Sequence, residues 1–142
     1  FSKKMQVAGF YCKRDVLPSE AYRVFNTWMG DPVRVLQLEA VLNAVKRDNL
    51  LENVQVTGEY VKAGLESLQD KYDAVSNVRG IGTFLSFDLP TTQERDALIL
   101  KLRNQGLAIG GCGSRTVRLR PALVFQPKHG EQLLDHIEKA LQ

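Results

Sequence analysis

Apolar residues recur at helical spacing from Val33 through Leu36, Ala40, Val41, Ala44 and Val45, while Gln37, Asn43, Lys46 and Arg47 fill the opposite side. Asp31 is placed to cap this helix, and Pro32 suits its first position because an N–H there has no intrahelical partner to lose. A second helix is predicted from about Leu51 to Asp70, with Val54, Val61, Leu65 and Leu68 on one side and Gln55, Glu59, Lys62, Glu66 and Gln69 on the other. Charges so arranged serve a partner surface or, more commonly, a solvated face. Residues 78–89 then change to strand character, read as one run bounded by Pro90. A helix follows from about Thr92 to Asn104, and Gly106 supplies a left-handed stop.

Beyond that stop come a glycine cluster, Gly110-Gly111-Cys112-Gly113, and a strand from Thr116 to Pro121. A terminal helix from about Gly130 to Leu141 presents Leu133, Leu134, Ile137, Ala140 and Leu141. Upstream, residues 6–12 read as extended, Lys13-Arg14-Asp15 to Pro18 as a charged loop, and Tyr22 to Trp28 as a loop rich in aromatic and polar groups. The order predicts an α+β fold, a small sheet covered by helices and preceded by an interdomain helix region. No repeat or low-complexity segment is visible.

With 142 residues, 44% hydrophobic and 25% charged, the chain has the composition of one ordinary globular domain. A net charge of +3 is too small to argue for nucleic acid, and the longest apolar run, Ala122 to Phe125, is far too short to span a membrane. Cys12 and Cys112 have no neighbouring Cys or His at metal-ligand spacing, so no metal site is expected and a reducing compartment is the simpler assumption. Phe1 is not an initiator Met, and an active-site lysine so near it would lack a pocket; the expectation is a fragment.

The candidate chemistry begins with Lys3-Lys4. A lysine that bonds covalently to a carbonyl cofactor must be partly unprotonated, and a neighbouring cation lowers its pKa toward that range. Two lysines at a chain end are ordinarily only a solvated surface feature. Arg118 and Arg120 alternate with Val117 and Leu119, which on a strand points both guanidiniums to one face, either as a carboxylate receptor or as a solvated edge. Thr27 precedes the capped helix, where a hydroxyl and backbone amides can donate to phosphate. The glycines around Gly80, Gly82 and 110–113 lack nucleotide-loop spacing and are read as tight turns or close approaches. His129 and His136 are read as surface residues, and no catalytic triad or carboxylate pair is legible.

Four stretches in register carry a resemblance: Phe1-Ser2-Lys3-Lys4-Met5, Phe25-Asn26-Thr27-Trp28 with Gly30-Asp31-Pro32, Val78-Arg79-Gly80 with Gly82-Thr83-Phe84, and Gly110 to Gly113 with Val117 to Pro121. Over essentially the whole chain the sequence resembles the class III pyridoxal-phosphate aminotransferases, in particular their eukaryotic, mitochondrial 4-aminobutyrate branch. The resemblance implies the C-terminal portion of a fold type I enzyme that works as a homodimer in the mitochondrial matrix. Residues 1–50 would end the large cofactor-binding domain and begin the interdomain helix, and residues 51–142 would form the small α+β domain. Lys3 would hold pyridoxal 5'-phosphate covalently and carry the proton, with Lys4 only a neighbour. Thr27 would reach the cofactor phosphate of the other subunit. Arg118 would bind the α-carboxylate of the keto acid and pair with a glutamate when the γ-amino substrate is present.

The implied reaction moves the amino group of 4-aminobutyrate to 2-oxoglutarate, giving succinate semialdehyde and glutamate. Its partners are small amino and keto acids, with no nucleic acid and no membrane. In this family the aspartate facing the pyridine nitrogen, the phosphate loop, the ring-stacking aromatic, the second substrate arginine and the cysteines of an iron-sulfur cluster all lie upstream, so Cys12 and Cys112 are not cluster ligands and the 142-residue piece alone is expected to be inactive. The alternatives are another ω-amino acid aminotransferase, of ornithine or β-alanine type, and a non-catalytic basic α+β binding module.

Overall fold

The computed structural model describes Val7, Gly9, residues 12–25 and residues 27–142, which fall into two compact units, Phe1–Asp48 and Asn49–Gln142. The extended segment expected over residues 6–12 lies mostly outside the described residues. In the first unit a short 3-10 turn, Arg14–Val16, occupies the expected charged loop, and helix α1 spans Pro32–Arg47. Asp31 caps it as the sequence predicts, its Oδ1 accepting a hydrogen bond from the Val33 N–H at 3.0 Å. Lys46 and Arg47 in the last turn face the negative end of the helix dipole.

The second unit contains α2 (Leu50–Lys71), β1 (Ser76–Ile81), β2 (Phe84–Asp88), α3 (Thr92–Asn104), β3 (Gly110–Cys112), β4 (Thr116–Leu119) and α4 (Pro127–Leu141). The strands form one antiparallel sheet in the order β1-β2-β4-β3. Leu85 and Phe87 of β2 and Val117 and Leu119 of β4 are buried together with Val61, Leu65 and Leu68 of α2, Leu98 and Leu102 of α3, and Leu133 and Ile137 of α4. The helices therefore cover one sheet face. Each fully buried side chain of this kind contributes about 1.5–3 kcal/mol relative to exposure. α3 is capped by Thr91, whose Oγ1 accepts from the Glu94 N–H at 3.2 Å, and it ends where Gly106 adopts φ 90°.

Three expectations need correction. The apolar run 78–89 is two strands: Gly82, at φ 54°, takes the left-handed conformation that reverses the chain into a hairpin. α4 starts at Pro127 rather than near Gly130, because the Gln126 N–H donates to His129 Nδ1 at 3.0 Å and closes the first turn from the side-chain side. β4 stops at Leu119, one residue before Arg120 and two before Pro121, which has no N–H to donate; Arg120 is exposed just beyond the ladder and lines a small cavity together with Arg118.

The hairpin turn rests directly on α2. A Cβ added at Gly58 would lie 2.3 Å from the Gly82 carbonyl carbon, so only glycine lets helix and turn backbone meet. Gly58→Ala is expected to lower stability by about 1–3 kcal/mol through overpacking. The measurement is a urea midpoint, which falls while the slope of the transition stays unchanged.

Candidate functional site

Strand alternation that buries Leu85, Phe87, Val117 and Leu119 turns Phe84, Ser86, Asp88, Thr116 and Arg118 to the face without helices. Residues directly opposite in an antiparallel pair share a face. Arg79 lies opposite Ser86, Ser86 opposite Arg118, and Arg118 opposite Gly110, which sets one row across the whole sheet. The next row runs through Asp88, Thr116 and Cys112. Arg79, Phe84, Ser86, Cys112, Thr116 and Arg118 line a concavity of about 400 Å³ on this face.

Arg118 is half-buried, and its Nη2 lies 4.0 Å from where a Cβ of Gly110 would stand. A Cβ at Gly110 would meet the guanidinium at ordinary contact distance, so the two residues are neighbours without crowding. Arg118 takes part in no ion pair or side-chain hydrogen bond among the described residues. A half-buried guanidinium with its donors unspent is chemically able to take a carboxylate, because its planar fork matches that group by two parallel hydrogen bonds.

Arg79 is the opposite case. Its Nη2 sits 3.0 Å from Asp88 Oδ1 and 3.1 Å from Thr116 Oγ1, and its Nη1 donates to the Asn77 carbonyl at 2.7 Å. Asp88, 4% exposed, also accepts from the Thr116 hydroxyl at 2.6 Å and from Asn77 Nδ2 at 2.9 Å, with Arg115 Nε at 4.0 Å. A bulge between Ser76 and Arg79, with Asn77 at φ 54°, brings both β1 side chains onto this carboxylate. Burial pushes the Asp88 carboxyl up, but the hydrogen bonds from Thr116, Asn77 and Arg79, joined by the Arg79 charge, outweigh it and hold the group below the ordinary aspartate range.

The turn between β3 and β4 is held by another guanidinium. Arg95 of α3, 8% exposed, directs Nη1 at the carbonyls of Gly113 and Thr116, both at 3.3 Å, and its Nε at Asp96 Oδ1 at 2.6 Å. A Cβ at Gly111 would come within 2.5 Å of that Nη1, and Gly113 turns the chain at φ 55°. The glycine cluster thus serves a close approach and a turn. It forms no nucleotide loop.

Of the residues singled out in sequence, Lys3 lies outside the described residues, and so does its neighbour Lys4. Thr27 is exposed in the turn before α1 of the first unit, and Arg118 stands in the second unit. His129 and His136 are partly exposed at the surface, and each has a partner: His129 accepts the cap bond of α4, and His136 Nδ1 lies 3.0 Å from Gln105 Oε1. Sequence reading missed Arg79, Asp88, Thr116 and Arg95. A signal for Asp88 was present, since an aspartate in phase with Ser86 and out of phase with Phe87 belongs to the polar face of its strand.

The family model for class III aminotransferases matches residues 1–141. The chain belongs to the class III aminotransferases. The 4-aminobutyrate aminotransferase of Dictyostelium discoideum is 51% identical over 100% of the chain and 29% of that protein. The mitochondrial 4-aminobutyrate aminotransferase of Rattus norvegicus is 48% identical over 95% of the chain and 27% of that protein. Among solved structures, a lysine aminotransferase from M. tuberculosis superposes with a TM-score of 0.80 at 30% identity, over 85% of this chain and 28% of that one. The chain thus spans less than a third of the length of these relatives. Its mixed helix and sheet architecture is that of fold type I aminotransferases.

The depressed Asp88 pKa gives this class III aminotransferase chain a pH signature. Stability from a carboxylate held below its unfolded value, about 4, is fully present above that pH and is lost as pH falls through the lower folded value. Asp88→Asn is expected to cost about 1–3 kcal/mol at pH 7 by breaking the buried network. Urea unfolding repeated from pH 7 to pH 2 should show that cost shrinking below pH 4 as the parent loses its own advantage.

Proposed function

We propose that the protein carrying this chain is a pyridoxal-phosphate transaminase that moves the amino group of 4-aminobutyrate to 2-oxoglutarate, giving succinate semialdehyde and glutamate. The observation that carries this reading is the unspent guanidinium of Arg118 over the side-chain-free Gly110, on the sheet face opposite the helices. Its support is the naming of relatives at 48–51% identity as 4-aminobutyrate aminotransferases.

In this proposal Arg118 receives the α-carboxylate of the keto acid and fixes its orientation by paired charge-assisted hydrogen bonds. Lys3 is the cofactor's covalent anchor, and its Nζ carries the proton removed from the substrate carbon. Thr27 offers its exposed hydroxyl to the cofactor phosphate, a donor set that suits an anion beside a helix entrance. When bound, pyridoxal phosphate supplies the electron sink that makes that proton removable. The protein acts as a homodimer and, by the naming of its mammalian relatives, in mitochondria. Likeness to a lysine aminotransferase supports a second reading, in which another ω-amino acid of ornithine or β-alanine type is the amino donor.

Kinetics on the whole protein test the assignment. Arg118→Gln is expected to raise KM for 2-oxoglutarate about 30-fold or more, with a much smaller effect on KM for 4-aminobutyrate, since a carboxylate loses its charged partner. An unchanged KM for 2-oxoglutarate would remove Arg118 from the site, and equal rises for both substrates would overturn its selectivity for the keto acid. Lys3→Ala should abolish turnover together with the visible absorption of bound cofactor, and the 142-residue chain alone should show no turnover with added pyridoxal phosphate. A panel of ω-amino acids separates the two readings of the donor.

A further inference from the structure

The face without helices carries two guanidiniums in one row, and only Arg118 has no ion pair or side-chain hydrogen bond among the described residues. Arg79 and Arg118 flank Ser86 from the strands on either side, so their backbones stand about 10 Å apart, twice the spacing of neighbouring strands. Both line the same concavity of about 400 Å³. A five-carbon dicarboxylate laid across the sheet has a carboxylate for each. Such a pose would hold both ends of a keto acid on this domain and leave neither end to orient it for reaction.

Asp88 prevents this. It is the buried acid of the row beside, it takes the Arg79 Nη2 at 3.0 Å, and Thr116 and Asn77 complete its shell. The bulge at Asn77 exists at the one place where β1 must reach it. No equivalent acid serves Arg118 among the described residues. We propose that Asp88 is a positioning residue for the carboxylate site: by holding Arg79 it leaves Arg118 as the sole receptor for a substrate carboxylate on this face and excludes the crosswise dicarboxylate. The proposal rests on the reading of Arg118 given above.

The test is a charge cycle in the whole protein, with glutarate as a non-reacting probe and its Kd read by calorimetry at low and high salt. Asp88→Asn leaves the Arg79 charge uncompensated while its bonds to Thr116 and the Asn77 carbonyl remain, and is expected to tighten glutarate about fivefold at low salt, an effect that salt erodes. Arg79→Gln leaves Asp88 uncompensated beside the site and should weaken glutarate about threefold. The double variant should return to within about twofold of the parent. A purely structural Asp88 gives weakened binding in both single variants and no recovery in the double, and that result overturns the proposal. Where Asp88→Asn does not fold, weakening in Arg79→Gln with recovery in the double supports it, and a flat response in both overturns it. Arg118→Gln separates the two levels: if it leaves glutarate binding unchanged, the reading of Arg118 and this proposal fall together. If it weakens glutarate while the cycle stays flat, only this proposal fails. An intact cycle in a protein without transaminase turnover supports the proposal and removes the reaction.

Discussion

Everything in the second unit depends on the strict two-residue alternation of β2 and β4. The same nine positions that insert Leu85, Phe87, Val117 and Leu119 beneath three helices lift Ser86, Asp88, Thr116 and Arg118 to the other side. A slip of one residue in either strand would exchange the two sets, placing a guanidinium in the core and a phenylalanine on the polar face. Core packing therefore fixes the register, and the register places the charges. Burial energy stands behind the geometry of a site that it does not touch.

The two arginines of that polar face show how one residue type acquires different roles from its neighbours. Arg79 meets a buried carboxylate, a hydroxyl and a carbonyl, and its charge is spent on holding β1 to β2 and β4. Arg118 meets a serine on one side and a glycine on the other. Arg95, on the helical side, spends its donors on carbonyls of the β3–β4 turn. Desolvation makes the Arg95 assignment costly to violate, because a buried charge without a partner is far less stable than a paired one.

Much of the frame was legible in the sequence because it rests on local rules. The Asp31-Pro32 cap, the extents of α2 and α3, and the Gly106 stop follow from side-chain hydrogen bonding, apolar period and backbone freedom. The hairpin inside 78–89 was hidden because its glycines, Gly80 and Gly82, interleave with apolar residues in a way that a single bulged strand also satisfies. Arg118 could be singled out by its alternation with apolar neighbours. Asp88 could not be given its role, because that role comes from Arg79, Asn77 and Thr116, two of them on a strand reached only after the hairpin closes and one on β4, 28 residues further on. Long-range partners of this kind leave no period in the chain.

The contact between Gly58 and Gly82 has a mechanical meaning as well as a steric one. Backbone against backbone leaves no side chain to yield, so the position of helix α2 sets that of the tip of the β1–β2 hairpin. With 22 residues, α2 is a rod about 33 Å long. The turn that meets this rod lies three residues from Arg79 and four from Ser86. The placement of the polar face therefore depends on a helix that lies on the opposite face of the sheet.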